Sequence, residues 1–185
     1  MLDTIFLDMD GVCCDFLSAA LKRHKLNPQE VFARWPAGTF DVCRVLDMTP
    51  ANFWHPLQMD MSFWQHLEPY DWFGNLYAAL NEIDGAEVIF LTSPSDCATS
   101  FAGKQLWLRN RGIGNSQIVM TPRKELLAGP RRLLIDDHDG HVAEFALRGG
   151  HAITFPQRWN SHHELADDSR VSRVIRQVRH LARTH

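Results

Sequence analysis

Five short apolar runs punctuate the chain, at residues 4–7, 87–91, 117–120, 132–135 and 151–155. Most are continuous rather than alternating, the pattern of strands buried on both faces of a parallel sheet. Between the later runs the apolar positions fall at helical spacing. Residues 95–110 form one such stretch, ending at Gly112; residues 140–148 form another, with Val142, Phe145 and Ala146 on one face before Gly149-Gly150. Strand alternating with helix predicts an α/β protein with a Rossmann-like, doubly wound parallel sheet of about five strands.

The first two runs lie about eighty residues apart, too many for one crossover, so an insertion is expected between them. Its punctuation is helical: Asn27-Pro28 and Thr49-Pro50 each read as an N-cap followed by proline at the first helical position. Four of the six tryptophans (Trp35, Trp54, Trp64, Trp72) and six of the eleven phenylalanines fall between residues 16 and 73. The pattern predicts a small helical cap over residues 15–74, inserted after the first strand. Residues 1–14 and 75–185 then form the core, which resumes with a helix expected over 72–83.

A chain of 185 residues can bury one substantial core plus such an insertion. Its net charge of -3 gives no general attraction to nucleic acid or anionic membranes, and no apolar run approaches the roughly 18–20 residues of a membrane span. The first residues enter a strand without a basic leader, so a cytoplasmic protein is expected. Cys13, Cys14, Cys43 and Cys97 have no metal-ligand spacing and are read as buried, reduced thiols. A second copy of the chain is the macromolecular partner left open.

Chemistry enters at the strand ends. Asp8 and Asp10 follow the first strand, Thr92 and Ser93 the second, and Asp136 and Asp137 the fourth, with Lys124 a few residues past the third. In a parallel sheet these ends share one edge, where ligands bind at the switch point. Carboxylates gathered there repel one another unless a cation sits among them, and an all-oxygen set suits Mg²⁺. A carboxylate beside the metal can attack phosphorus and form an aspartyl-phosphate. A second carboxylate two residues on can protonate the leaving oxygen and then activate water. Thr92, the Ser93 amide and a lysine would hold the phosphoryl oxygens, and Ser93-Pro94-Ser95-Asp96 is expected to open a helix aimed at the phosphate.

The ordered set Asp8-Met9-Asp10-Gly11-Val12, Leu91-Thr92-Ser93, Lys124 and Leu134-Ile135-Asp136-Asp137 resembles the haloacid dehalogenase superfamily of phosphatases. Asp15-Phe16, Phe63-Trp64 with Leu67-Glu68-Pro69, Thr92-Ser93-Pro94 and Gly103-Lys104 with Trp107 resemble its 5′(3′)-deoxyribonucleotidase branch. The resemblance implies Asp8 as nucleophile, Asp10 as acid/base, and metal ligation by Asp8, the Asp10 carbonyl and Asp137. Asp136 is then expected to hold Lys124 or a metal-bound water. It further implies a nucleoside monophosphate substrate and base stacking by Phe16, with Phe63 and Trp64 next.

Blander readings compete at several positions. Lys104 either reaches the phosphate from its helix or lies solvated. Aromatics in a small helical insertion also serve simply as its core. Asp136-Asp137-His138-Asp139-Gly140-His141 fits a zinc or manganese site, although His138, Asp139 and His141 are preferred as a helix cap and solvent-facing loop. His162 and His163 are read as surface. Arg170, Arg173, Arg176, Arg179 and Arg183 alternate with apolar residues, predicting an amphipathic helix on the sheet with a basic outer face. The rival functions are a sugar-phosphate or general metabolite phosphatase, a catalytically inactive phosphate-binding or regulatory protein, and a nucleic-acid adaptor using the arginine helix.

Overall fold

Strand β1 (Thr4–Leu7) runs through the middle of the sheet in this computed structural model, which describes residues 1–184. The chain then builds α1 (Phe16–Arg23), α2 (Pro28–Arg34), α3 (Val42–Leu46), α4 (Pro50–Gln58) and α5 (Met61–Gln65) before α6 (Phe73–Asn81) returns it to the sheet. The remainder alternates: β2 (Glu87–Thr92), α7 (Ala98–Arg109), β3 (Ile118–Met120), β4 (Arg132–Asp136), α8 (Asp139–Leu147), β5 (His151–Thr154) and α9 (Arg170–Thr184). All five strands are parallel, in the order β3-β2-β1-β4-β5. The switch point therefore lies where β1 meets β4, and Leu7 pairs with both Phe90 and Ile135.

Alternation along β1 divides the core. Ile5 and Leu7 join the main cluster with Leu76 and Leu80 of α6, Trp107 of α7 and Val174 and Val178 of α9. Phe6 faces the other side with Leu91, Leu134 and Phe145 of α8. Helices on both faces explain why these strands read as continuous apolar runs.

Asn27 and Thr49 cap α2 and α4 as the sequence predicts, each with proline in the first turn. The insertion is not cored by itself alone. Phe53, Leu57 and Trp64 of α4 and α5 belong to the main cluster, while Leu17, Leu21, Val31 and Trp35 form a small one with Trp159. The joint with the main body is tight. A Cβ on Gly103 of α7 would overlap Trp64 and stand 2.8 Å from the Met61 carbonyl oxygen of α5.

Two expectations are corrected. The helix anticipated from residue 95 starts at Ala98, because the Ser95 amide donates to Ser100 Oγ (3.0 Å) and Cys97 N–H to the Ser95 carbonyl, which closes a turn instead. The arginine-bearing helix α9 packs as its pattern predicts, with Val174 and Val178 buried in the cluster that holds Ile5 and Leu7 of β1, and it also lies beside α6. Cys43 and Cys97 are only half-buried, unlike Cys13 and Cys14, and all four are free thiols. Among the described residues no helix is long and apolar enough to cross a membrane.

Candidate active site

The turn after β1 places the first carboxylates. Cys13 and Cys14 N–H groups both donate to the Met9 carbonyl, at 2.8 and 3.0 Å, and Gly11 turns the chain at φ 76°. A side chain at Gly11 would overlap Asp137 Oδ2, so the position needs glycine for its conformation and for the approach of β4's end. Asp15 caps α1 by accepting from Ser18 N–H at 3.0 Å, which sets Phe16 at the start of that helix.

Two buried lysines organise the acids. Lys124 Nζ donates to Asp8 Oδ1 at 2.5 Å and to Asp136 Oδ2 at 2.6 Å. Lys104 is 1% exposed and donates to Asp10 Oδ2 at 2.7 Å, Thr92 Oγ1 at 3.0 Å and the Ser93 carbonyl at 2.8 Å. Of its two sequence readings, the solvated one is excluded. Ser93 Oγ donates to the Thr121 carbonyl, which ties the ends of β2 and β3 together.

Asp8, Asp136 and Asp137 each offer an oxygen within 4.8 Å of the others, and all three are buried. Burial, with Asp136 and Asp10 nearby, pushes the Asp8 carboxyl up to about 6 despite Lys124. Burial and then the Asp136 and Asp8 charges likewise raise Asp137 well above the carboxylate range. Asp136 differs. Burial opposes its charge too, but the Lys124 ammonium and the His141 hydrogen bond outweigh it and hold its carboxyl below the usual range. With Asp10 counted, four carboxyls face two ammoniums, so full ionisation would leave two negative charges over, which is the form that a bound cation would stabilise. An all-oxygen cluster with that surplus fits a divalent cation such as Mg²⁺.

The group contains no histidine, so the mixed histidine–carboxylate site that would suit zinc is not assembled among the described residues. His138 does cap α8, accepting from His141 N–H at 3.2 Å. His141, however, is not a solvent-facing loop residue: it stands in α8 with Nδ1 3.2 Å from Asp136 Oδ2. Asp139 instead accepts from Ser161. Both histidines line the site and stack on each other with ring centroids 4.3 Å apart.

A cleft of about 190 Å³ opens above the acids and is walled by Phe16, Leu17, Trp35, Phe40, Val42, Trp54 and Trp159. Thr92, Ser93 and Lys124 lie at its floor with Asp8, Asp10, Asp136 and Asp137. Phe16 lines the cleft. Phe63 and Trp64 do not reach the cleft: they stand behind Phe16, whose ring stacks on Trp64 with centroids 5.6 Å apart. Trp64 is 1% exposed, and its indole N–H is spent on the Leu57 carbonyl. Its place is in the core.

Sequence reasoning missed Trp35, Phe40, Trp54 and the residues after β5. Gln157 Nε2 donates to the Gly11 carbonyl, Asn160 Nδ2 to the Asp137 carbonyl, and Trp159 Nε1 to Asp137 Oδ2 at 2.6 Å. The rule applied to the other strand ends would have found them, since they follow the fifth strand at the same sheet edge.

No curated protein matches the chain in sequence. Among solved structures it is similar to a conserved haloacid dehalogenase-like protein of unknown function from Agrobacterium tumefaciens, with TM-score 0.61, 14% identity, and coverage of 98% of this chain and 100% of that one. A hydrolase from Streptococcus pneumoniae gives TM-score 0.55 at 13% identity over 89% and 98% of the two chains. The HAD-hydrolase YfnB from Bacillus subtilis, described as bound to magnesium, gives 0.51 at 14% over 83% and 86%. At such identities the likeness establishes the shared fold. The family model described as 5′ nucleotidase, deoxy (Pyrimidine), cytosolic type C protein matches residues 2–177, and the chain belongs to that family of phosphoric monoester hydrolases on the haloacid dehalogenase fold.

Proposed function

We propose that the chain is a Mg²⁺-dependent nucleotidase that dephosphorylates deoxyribo- and ribonucleoside 5′- or 3′-monophosphates through an aspartyl-phosphate on Asp8. The observation that carries this reading is the joining of the buried Asp8–Lys124–Asp136 chain to an apolar, aromatic cleft directly above it. A phosphoryl group fits the polar floor; a base, with its flat apolar face, fits the walls.

Asp8, Asp137 and the Asp10 carbonyl would hold the Mg²⁺, with Asp136 committed to Lys124. The magnesium described for the Bacillus subtilis relative supports Mg²⁺ as the cation. When bound, the cation offsets the charge of the crowded carboxylates and of the substrate phosphate. The chain's own residues do the rest. Asp8 attacks phosphorus, and Asp10 gives its proton to the leaving sugar oxygen. Asp10 then takes a proton from the water that cleaves the acyl-phosphate. Thr92, the Ser93 amide, Lys104 and Lys124 would position the phosphoryl oxygens and stabilise their growing charge. Residues 15–74 act as the cap that shapes the cleft, and residues 1–14 and 75–185 as the core that carries the chemistry.

A panel of nucleoside monophosphates, sugar phosphates and small phosphorylated metabolites, assayed with and without Mg²⁺, tests the reading. Turnover should need Mg²⁺ and favour nucleotides; faster turnover of sugar phosphates would reject the substrate assignment alone. Asp8→Asn should abolish turnover with the fold intact, and an active variant would sink the mechanism.

A further inference from the structure

Three side chains of the loop following β5 turn inward onto the first and fourth strand ends. Gln157 is 4% exposed and Asn160 0%, and their amides secure the Gly11 and Asp137 backbones. Asn160 Nδ2 also donates to the Phe155 carbonyl at 2.8 Å, which anchors the loop to the end of β5. Trp159, 7% exposed, is the one that touches an acidic side chain directly. Its ring meanwhile packs with Leu17, Leu21, Val31 and Trp35 and forms part of the cleft wall.

We propose that Trp159 is a positioning residue: its indole N–H fixes the Asp137 carboxylate in the orientation that receives Mg²⁺, while its ring walls the cleft. The inference rests on the Mg²⁺-dependent reading above. A carboxylate free to rotate loses rotamer freedom on gaining a cation, whereas one held by a fixed donor has already lost it. The indole itself is held in place by its apolar neighbours, so the donor does not move. Metal affinity and the fit of the leaving group are thereby set through one side chain.

Trp159→Phe keeps an aromatic wall and removes the N–H. Calorimetric titration of the full chain with MgCl₂ should show affinity falling roughly tenfold or more, the usual effect of losing an outer partner of a metal ligand. The Mg²⁺ concentration giving half-maximal turnover should rise by the same factor. Trp159→His, which restores a ring N–H, should recover most of the affinity. Arg158→Ala, whose side chain reaches the Phe32 carbonyl instead of the site, should bind Mg²⁺ as wild type does. Unchanged Mg²⁺ affinity in Trp159→Phe overturns the proposal, as does an equal loss in Arg158→Ala, which would mean that the loop matters and the N–H does not. If the wild-type chain itself binds no Mg²⁺, the metal reading falls and this inference with it. If wild type binds and Trp159→Phe binds equally, only this inference falls.

Discussion

Substituting alanine at two helical glycines should move stability in opposite directions. Gly103 lies buried in α7, where an added Cβ would overlap Trp64 and come within 2.8 Å of the Met61 carbonyl oxygen and 3.2 Å of Gln65 N. Carbon atoms pack comfortably only from about 3.5 Å, so α5 must retreat. Overpacking of this kind costs about 1–3 kcal/mol, against a gain of about 1 kcal/mol from replacing a helical glycine. Gly103→Ala should therefore lose about 0–2 kcal/mol. Gly74 in α6 has nothing within 4 Å of the same added atom, so Gly74→Ala should gain about 0.4–1 kcal/mol. The helix contribution has the same sign in both variants, and their difference largely isolates the collision. In urea or thermal unfolding they should differ by about 1–3 kcal/mol, at about 2–4 °C per kcal/mol for a chain of this size. Activity adds a second reading: α5 carries Phe63 and Trp64 behind Phe16, so Gly103→Ala should raise KM for a nucleotide while Mg²⁺ affinity holds. Equal stabilities, or a more stable Gly103→Ala, would refute the packing argument.

Three further outcomes are expected. Gly11→Ala combines a left-handed backbone, costing about 1–2 kcal/mol, with a methyl driven into Asp137; kcat/KM should fall about a hundredfold, as an ångström of misplacement does, and a near-normal value would mean the turn is pliant. Cys97 is held below the usual thiol range because hydrogen bonds from Ser95, Thr99 and Ser100 outweigh its burial, whereas burial raises Cys13 and Cys14. Iodoacetamide followed by peptide mapping should label Cys97 first, and prior labelling of Cys13 would contradict this. Asp167 is held well below the ordinary carboxylate range by hydrogen bonds from Arg173 and Ser169. A depressed carboxyl stabilises fully above its unfolded pKa of about 3.9 and loses that contribution as pH falls through the folded value. The stability gap between wild type and Asp167→Asn should thus be flat from pH 8 to 5 and close below 4, and carboxyl NMR should find Asp167 still ionised at pH 3.

Local signals carried far in this chain. Continuous apolar runs marked all five strands within a residue or so, most clearly in β1, β2 and β4, where burial on both faces leaves few polar positions between the strand ends. Proline after Asn27 and Thr49 marked helix starts by chemistry local to each site. Asp8, Asp10, Thr92, Lys124 and Asp136 come together because a parallel sheet delivers every strand end to one edge. What stayed hidden depends on tertiary placement. Nothing in periodicity tells Trp54, which reaches the cleft, from Trp64, which lies in the core beneath Phe16. The start of α7 was lost to a competing turn closed by Ser100 Oγ. Gln157, Trp159 and Asn160 sit in a segment with no repeating pattern, and only their position after a strand marks them.

The division of the insertion between two apolar clusters has an evolutionary consequence. Substitutions at Phe53, Leu57 or Trp64 disturb the same cluster that packs Ile5 and Leu7, so selection for folding restrains them. Val31 and Trp35 answer to a cluster of five buried side chains, none of them on a strand, and its link to the sheet edge is Trp159, which donates to Asp137. Trp35 and Phe40 belong to that side of the cleft wall. Descendants of this sequence can therefore change which leaving groups fit by drifting at Val31, Trp35 and Phe40, but only as far as Trp159 keeps its hold on Asp137.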